Sequence, residues 1–238
     1  MNLTVRDVTH LVFAICGALL FWGAFYGLMR PSEPHPGLRD DALQDALRED
    51  WNHRQLSYYA ARKNLFEKVD GNGRRTTGRY TGEPITYLSQ PLPNKGMMEH
   101  TWELTRLPAE ARTDLHHLFP VLPEANAARL NLHFGDVLVP LWSRGGSKAG
   151  PSSKVKPVFE VRRQHRGNTA RAMFYVATMY DRQLPDDEEQ ILKEWHQQDP
   201  VDKAERQRND RVEKLQSSRN PFVDHPGLVD RISDFRRF

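Results

Sequence analysis

The chain has 238 residues and a formal net charge of +3, enough for one folded domain plus an appendage. A pI near 9.0 is too mildly basic to require a polyanionic partner, though it permits one. The single cysteine, Cys16, excludes an intramolecular disulfide and any cysteine-based zinc site.

Leu11 to Met29 is an uncharged, mostly apolar run preceded by Arg6 and containing Phe13, Phe21, Trp22, Phe25 and Tyr26. Its length matches the roughly 20 residues that cross a bilayer as a helix. No small-x-small cleavage site stands in a convincing place, and Ile15 before Cys16 makes a poor lipobox. Residues 1–30 therefore read as an uncleaved signal anchor, a transmembrane helix, in preference to a cleaved signal peptide that would make the protein secreted. Arg6 on one side and Arg30 and Arg39 on the other leave the orientation undecided by charge.

Residues 31–39, with Pro31, Pro34, Pro36 and Gly37, cannot continue a helix and read as a linker. From Asp40 to Lys68 the three- and four-residue spacing of Leu43, Ala46, Leu47 and Trp51 predicts one or two helices. Asp70-Gly71-Asn72-Gly73 is a turn. It is no calcium loop, because Arg74 stands where a third ligand is needed and Thr81 where the closing Glu belongs. Short strands are expected from Arg79 to Tyr87. Beyond the middle third, Trp142 to Lys156 reads as a Gly/Ser/Lys-rich loop. Helices are expected over Arg166–Tyr180, Asp186–Trp195 and Pro200–Leu215. The main domain is placed at residues 40–228, and residues 229–238 form a short basic tail expected to fray.

The middle third carries the chemistry. Glu99-His100 is followed by Asp114-Leu115-His116-His117-Leu118-Phe119-Pro120 and then by Asn126-Ala127-Ala128-Arg129-Leu130-Asn131. A histidine can take a proton from water at neutral pH. A hard cation such as magnesium accepts one carboxylate and one amide oxygen and keeps several waters, and Glu99 and Asn126 offer those oxygens. Pro123 favours a helix start, which would put Asn126 and Arg129 on one face. Consecutive strand residues point to opposite sides, so a strand carrying Glu99 and His100 must end or bulge there if both serve one site. One of His116 and His117 is expected to be a packed core residue. Arg162, Arg163, Arg166, Arg171 and Arg182 share a stretch whose only acid is Asp181, a pattern that fits a solvated basic face as well as a phosphate-binding one.

Taken in order, these blocks resemble the bacterial endonuclease I family of ββα-metal (His-Me finger) nucleases. The resemblance runs from about Phe66 to Pro226. It includes Asn94-Lys95-Gly96-Met97-Met98-Glu99-His100-Thr101-Trp102, Phe134-Gly135-Asp136-Val137, Gly145-Gly146-Ser147-Lys148 and Arg166-Gly167-Asn168-Thr169-Ala170-Arg171-Ala172-Met173-Phe174-Tyr175. It closes with Trp195-His196 and Asp199-Pro200-Val201-Asp202, then Arg219-Asn220-Pro221-Phe222-Val223-Asp224-His225-Pro226.

The resemblance implies an α+β fold, with a ββα-metal finger embedded in a mainly helical domain. It implies His100 as general base, Glu99 and Asn126 as ligands of one divalent cation (Mg²⁺ first, Ca²⁺ or Mn²⁺ as alternatives), and Arg129 and Asn131 beside the site. Arg166 and Arg171 become candidate contacts to the substrate backbone, although either could pair with acids of the Pro200–Leu215 segment. The implied activity is sequence-nonspecific cleavage of DNA, and often RNA, to 5′-phosphates by a monomer facing out of the cytoplasm. The sequence departs from the family at Glu103, where many relatives have proline. The link from His100 to Asp114 is also short, so Arg106 and Arg112 both remain candidates for holding the product phosphate. The alternative is a membrane-anchored, non-catalytic nucleic-acid-binding protein on a nuclease fold.

Overall fold

A computed structural model describes residues 33–72, 75–86 and 96–235. The expected anchor, residues 1–30, lies outside them, and no helix among the described residues is long and apolar enough to cross a membrane. The class is α+β, as expected, but with more sheet than one hairpin.

The Asp40–Lys68 pattern forms two helices. Helix α1 (Asp40–Glu49) buries Leu43 and Leu47, and α2 (Tyr58–Asn64) runs into a π-helical turn at Leu65–Val69. Strands β1 (Arg75–Thr77) and β2 (Pro84–Thr86) pair antiparallel, with Thr76 opposite Ile85. Of the short strands expected over Arg79–Tyr87, β2 falls inside that span, while its partner β1 precedes it, across a tight reversal. Gly82 takes φ +72 there, and its N–H donates to Gly78 O at 2.7 Å. Tyr80 in that reversal points inward and is fully buried.

Strand β3 (Met97–His100) pairs antiparallel with β4 (Leu118–Val121), placing Glu99 opposite Phe119 and His100 opposite Leu118. Short 3-10 turns fill the connection, and α3 (Pro123–Arg129) follows β4 at once, with Pro123 in its first turn. A four-stranded sheet then forms in the order β5-β8-β7-β6, from β5 (His133–Phe134), β6 (Trp142–Arg144), β7 (Ser147–Pro151) and β8 (Pro157–Glu160). The loop expected over Trp142–Lys156 is mostly a β-hairpin. Gly145 and Gly146 take φ +58 and +92, the sign that a type I′ hairpin turn requires at both central positions. A Cβ on Gly145 would also stand 1.9 Å from Thr81 O, so only glycine lets this turn close on the Tyr80 reversal.

The three C-terminal helices lie close to their expected bounds: α4 (Arg166–Met179), α5 (Asp186–Gln198) and α6 (Lys203–Gln216), followed by the single turn α7 (Pro221–Asp224). Helix α4 is buried almost all round, as a central helix must be. The expected frayed tail is overturned. Ile232 and Phe235 are buried, Phe235 stacks on Phe174 with ring centroids 4.5 Å apart, and its N–H donates to Glu189. The packed domain therefore continues past residue 228.

Two buried carboxylates tie these layers together. Asp114 Oδ2 accepts from the hydroxyls of Tyr175 and Tyr180, both at 2.8 Å. Asp70, at the end of the π turn, binds Arg79 at 2.6 Å and Arg208 at 3.1 Å. Burial alone would raise the Asp70 carboxyl, but Arg208 and Arg79 overcome it and hold the group below its ordinary range. A carboxylate whose pKa is lower folded than unfolded contributes fully above the unfolded pKa and loses that contribution as pH falls through the folded value. Asp70→Asn should therefore destabilise the protein at neutral pH by about 3–5 kcal/mol, the usual cost of breaking a buried pair. In thermal melts its deficit against the wild type should shrink on acidification; a gap independent of pH would show that the charge is not what matters.

Candidate active site

His100 is the last residue of β3, so the strand ends where the sequence required an end or a bulge. Helix α3 packs against β3 and sets Arg129 against Glu99, and the charge of Arg129 is felt by both Glu99 and His100. The Glu99 carboxyl is buried, with Arg129 Nε at 3.5 Å from its Oε1. That is an ion pair without a hydrogen bond: Oε1 has no hydrogen-bond partner, and neither does the buried Asn126 Oδ1. Burial lifts the Glu99 carboxyl to about 7, and the positive Arg129 and the neighbouring Tyr80 phenol oppose only part of that rise.

Arg129 is itself almost fully buried. Its guanidinium donates to the carbonyls of Thr101 and Leu130 and lies over the Phe134 ring, 5.0 Å from the centroid. Leu130, which ends α3, takes φ +45, a strained conformation for a branched residue that costs on the order of 1–3 kcal/mol. The arrangement fixes Arg129 as a brace for Glu99. Asn131, just beyond, is exposed.

His100 is half-buried, and its Nε2 lies 2.9 Å from Arg112 O. A carbonyl only accepts, so Nε2 carries the proton and Nδ1 keeps the lone pair. Burial, then the neighbouring His117, lowers the imidazole pKa to about 4, so it stays neutral well below pH 7. His117 supports this geometry by donating from Nε2 to Ala111 O at 2.6 Å, beside the carbonyl that orients His100. His116 donates to Ser218 O at 2.9 Å. Both histidines of the pair are therefore buried, where the sequence led us to expect one.

Tyr80 was not legible as a site residue. It comes from a distant reversal, and Ser147 Oγ holds that reversal by donating to Tyr80 O at 2.6 Å. Arg144 clamps the same region, with a bidentate contact to Glu83 at 2.7 and 2.8 Å and a further contact to Glu124 in the first turn of α3. The site is thus held from three sides by β3, α3 and the sheet.

A family model described as Endonuclease I matches residues 95–227, more than half of the chain. The chain belongs to the Endonuclease I family. It is 37% identical over 141 residues to an extracellular ribonuclease of Bacillus subtilis (strain 168), covering 50% of this chain and 46% of that protein. It is 33% identical over 159 residues to an extracellular ribonuclease of Bacillus amyloliquefaciens, covering 56% and 52%. Against a periplasmic deoxyribonuclease of Aeromonas hydrophila it is 33% identical over 116 residues, 47% of each chain. The chain spans about half the length of these curated relatives.

Within this Endonuclease I chain the candidate arginines separate sharply. Arg171 is only 1% exposed, and its guanidinium grips Glu205 at 2.8 and 2.6 Å and Asp199 O at 3.1 Å. It cannot reach a nucleic acid from there, so the substrate contact expected of it is corrected to pairing with the α6 acid. Arg166 is similarly engaged, with Glu160 and Gln198 both at 2.6 Å and its guanidinium over Trp195. Arg112 is different: its side chain is exposed, and its charge is close enough to depress the His100 pKa. Arg171→Met should therefore cost about 3–5 kcal/mol of stability in denaturant melts. Arg112→Ala should leave the melt unchanged within about 0.5 kcal/mol while weakening nucleic-acid binding. The reverse pattern would return Arg171 to the substrate.

Proposed function

We propose that this protein is a metal-dependent endonuclease that hydrolyses phosphodiester bonds of DNA, and of RNA, with little sequence preference and 5′-phosphate products. The observation that carries this reading is a set of three groups: two buried, unpartnered oxygens, Glu99 Oε1 and Asn126 Oδ1, and a histidine, next in sequence to Glu99, whose acceptor nitrogen is left free for water. A buried polar atom without a partner is costly, and the cost is removed if the atom is a ligand. No group of three or more His, Cys, Asp or Glu gathers as a metal cage among the described residues. One carboxylate and one amide suit a hard cation that keeps waters and substrate oxygens in its shell, Mg²⁺ first and Ca²⁺ or Mn²⁺ as alternatives. On this reading β3, β4 and α3 are the metal finger.

When bound by Glu99 and Asn126, the cation supplies charge neutralisation at the phosphate and at the leaving 3′ oxygen. The remaining work falls to the chain. His100 Nδ1 takes a proton from the attacking water, and the Arg112 carbonyl holds the ring in the tautomer that leaves this nitrogen free. Arg129 keeps the Glu99 carboxylate in place and stabilises its charged form. Arg112, with Arg106 as the other candidate, meets the non-bridging oxygens of the phosphate. Asn131, exposed after α3, is a further contact to the backbone.

None of these steps uses a ribose 2′-hydroxyl, so the sugar does not decide whether cleavage occurs. The relatives' names, two ribonucleases and a deoxyribonuclease, fit that tolerance. They are extracellular or periplasmic, which supports a domain working outside the cytoplasm. The N-terminal apolar stretch would then hold a monomer at the membrane.

The test is nicking of supercoiled plasmid with Mg²⁺, with chelator, and by His100→Ala. Cleavage should require the metal, and the variant should be slower by about 10²–10⁴-fold. Full activity of the variant would remove His100 from the mechanism. A well-folded wild type that leaves DNA intact with every cation would leave the binding-protein alternative.

A further inference from the structure

A cleft of about 130 Å³, lined by none of Glu99, His100 and Asn126, opens between the Tyr80 reversal and the starts of α4 and α6. A single water requires only about 10–15 Å³, so a polyatomic ion fits. Its lining is strongly biased. Four arginines, Arg79, Arg162, Arg208 and Arg211, line it together with His165 and Asn168. Two of the arginines share one acid, Asp70, and neither Arg162 nor Arg211 joins an ion pair among the described residues. The acids of the lining are already engaged. Glu205 holds Arg171, and Asp202 caps α6 by accepting from Glu205 N at 2.7 Å.

Two helix N-termini converge on the same space. Helix α4 starts at His165, which gives it no side-chain cap, although Gly167 N there donates to Asp199 at 3.0 Å. Helix α6 starts at Asp202, which accepts from Glu205 N, so each start keeps its partial positive charge but not all of its free N–H groups. The first turn of a helix presents unpaired N–H groups and a partial positive charge, which favours an anion. A further observation points to a ligand: His165 is 4% exposed, and its buried Nε2 has no hydrogen-bond partner. Arg79 Nε is also buried with no partner, although its Nη2 binds Asp70, and the half-buried Asn168 lines the cleft with no side-chain hydrogen bond among the described residues. Asn168 belongs to the block Arg166-Gly167-Asn168-Thr169-Ala170-Arg171, and nothing in the proposed hydrolysis uses it.

We propose that this cleft is a phosphate-binding site, sharing no residue with the proposed cation site, in which Arg162, Asn168, His165 and Arg211 hold the oxyanion. Donors outnumber acceptors, and planar guanidiniums with helix-start N–H groups match a tetrahedral phosphate. The phosphate is either one of the substrate backbone outside the scissile bond or a free phosphate ion. Only the first source rests on the nuclease reading.

The experiment is calorimetric titration of the full chain, in chelator, with inorganic phosphate and separately with a hexathymidylate. Chelator stops cleavage and removes cation-bridged binding, so the outcome does not depend on whether the protein is a nuclease. Wild type should bind at least one of the two. Arg162→Ala/Asn168→Ala should weaken that binding tenfold or more with an unaltered melting temperature. Arg211→Gln serves as a second variant on the more exposed wall. Loss confined to the hexathymidylate assigns the cleft to the substrate backbone, and loss for inorganic phosphate assigns it to the free ion. Binding of neither ligand, or equal binding by wild type and both variants, overturns the proposal.

Discussion

The Arg208 guanidinium is the contact on which the arrangement around the site depends. It is buried, bonds both oxygens of Asp70, donates to the carbonyls of Leu115 and Leu118, and lies over the Phe119 ring 4.4 Å from its centroid. One side chain of α6 thereby joins the end of the N-terminal helical pair to the first residue of β4. Since β4 sets the register of β3, it also sets where Glu99 and His100 stand. A buried charge without partners would cost several kcal/mol, so the chain cannot release any of these contacts singly. That cost makes the tie specific as well as strong.

A second constraint acts through the loop between β3 and β4. Asp114 is fully buried and takes two tyrosine hydroxyls, while Leu115 N donates to Gln216 and His116 donates to Ser218 O. His117 pins Ala111, and the neighbouring carbonyl of Arg112 then orients His100. The Asp114–Pro120 block is therefore a set of anchors rather than a set of catalysts. Asp114 is met by tyrosine hydroxyls, and His116 and His117 by backbone carbonyls of other elements, which explains how such polar residues can be buried at all.

Against that well-satisfied background, the unpartnered atoms stand out. Glu99 Oε1, Asn126 Oδ1 and His165 Nε2 are buried with no partner, as are the hydroxyls of Tyr80, Thr101, Thr113 and Thr178. The first two are the oxygens proposed to hold the cation, and the third lines the cleft between the starts of α4 and α6. The same logic divides the arginines. Arg171, Arg166, Arg208 and Arg129 are bound into the framework, whereas Arg112, Arg162 and Arg211 have no carboxylate within ion-pair distance among the described residues.

The helices of the C-terminal half, the start of α3 at Pro123 and the end of a strand at His100 were legible in the chain itself. Each rests on local signals: three- and four-residue apolar spacing, a proline in a first turn, and the opposite facing of adjacent strand residues. The chemical types at Glu99, His100 and Asn126 were legible for the same reason, because donor chemistry belongs to the residue. Pairing was not. Whether Trp142–Lys156 is a loop or a hairpin turned on glycine φ angles and on Thr81 lying against Gly145. Tail packing depended on Phe174 being there to receive Phe235. Arg171 and Arg112 look alike in the chain, and only the presence of Glu205 beside one of them and solvent beside the other distinguishes a brace from a candidate substrate contact. Local sequence determined which elements form and what chemistry they carry. Tertiary structure decided which charges are already neutralised, because that depends on neighbours far along the chain.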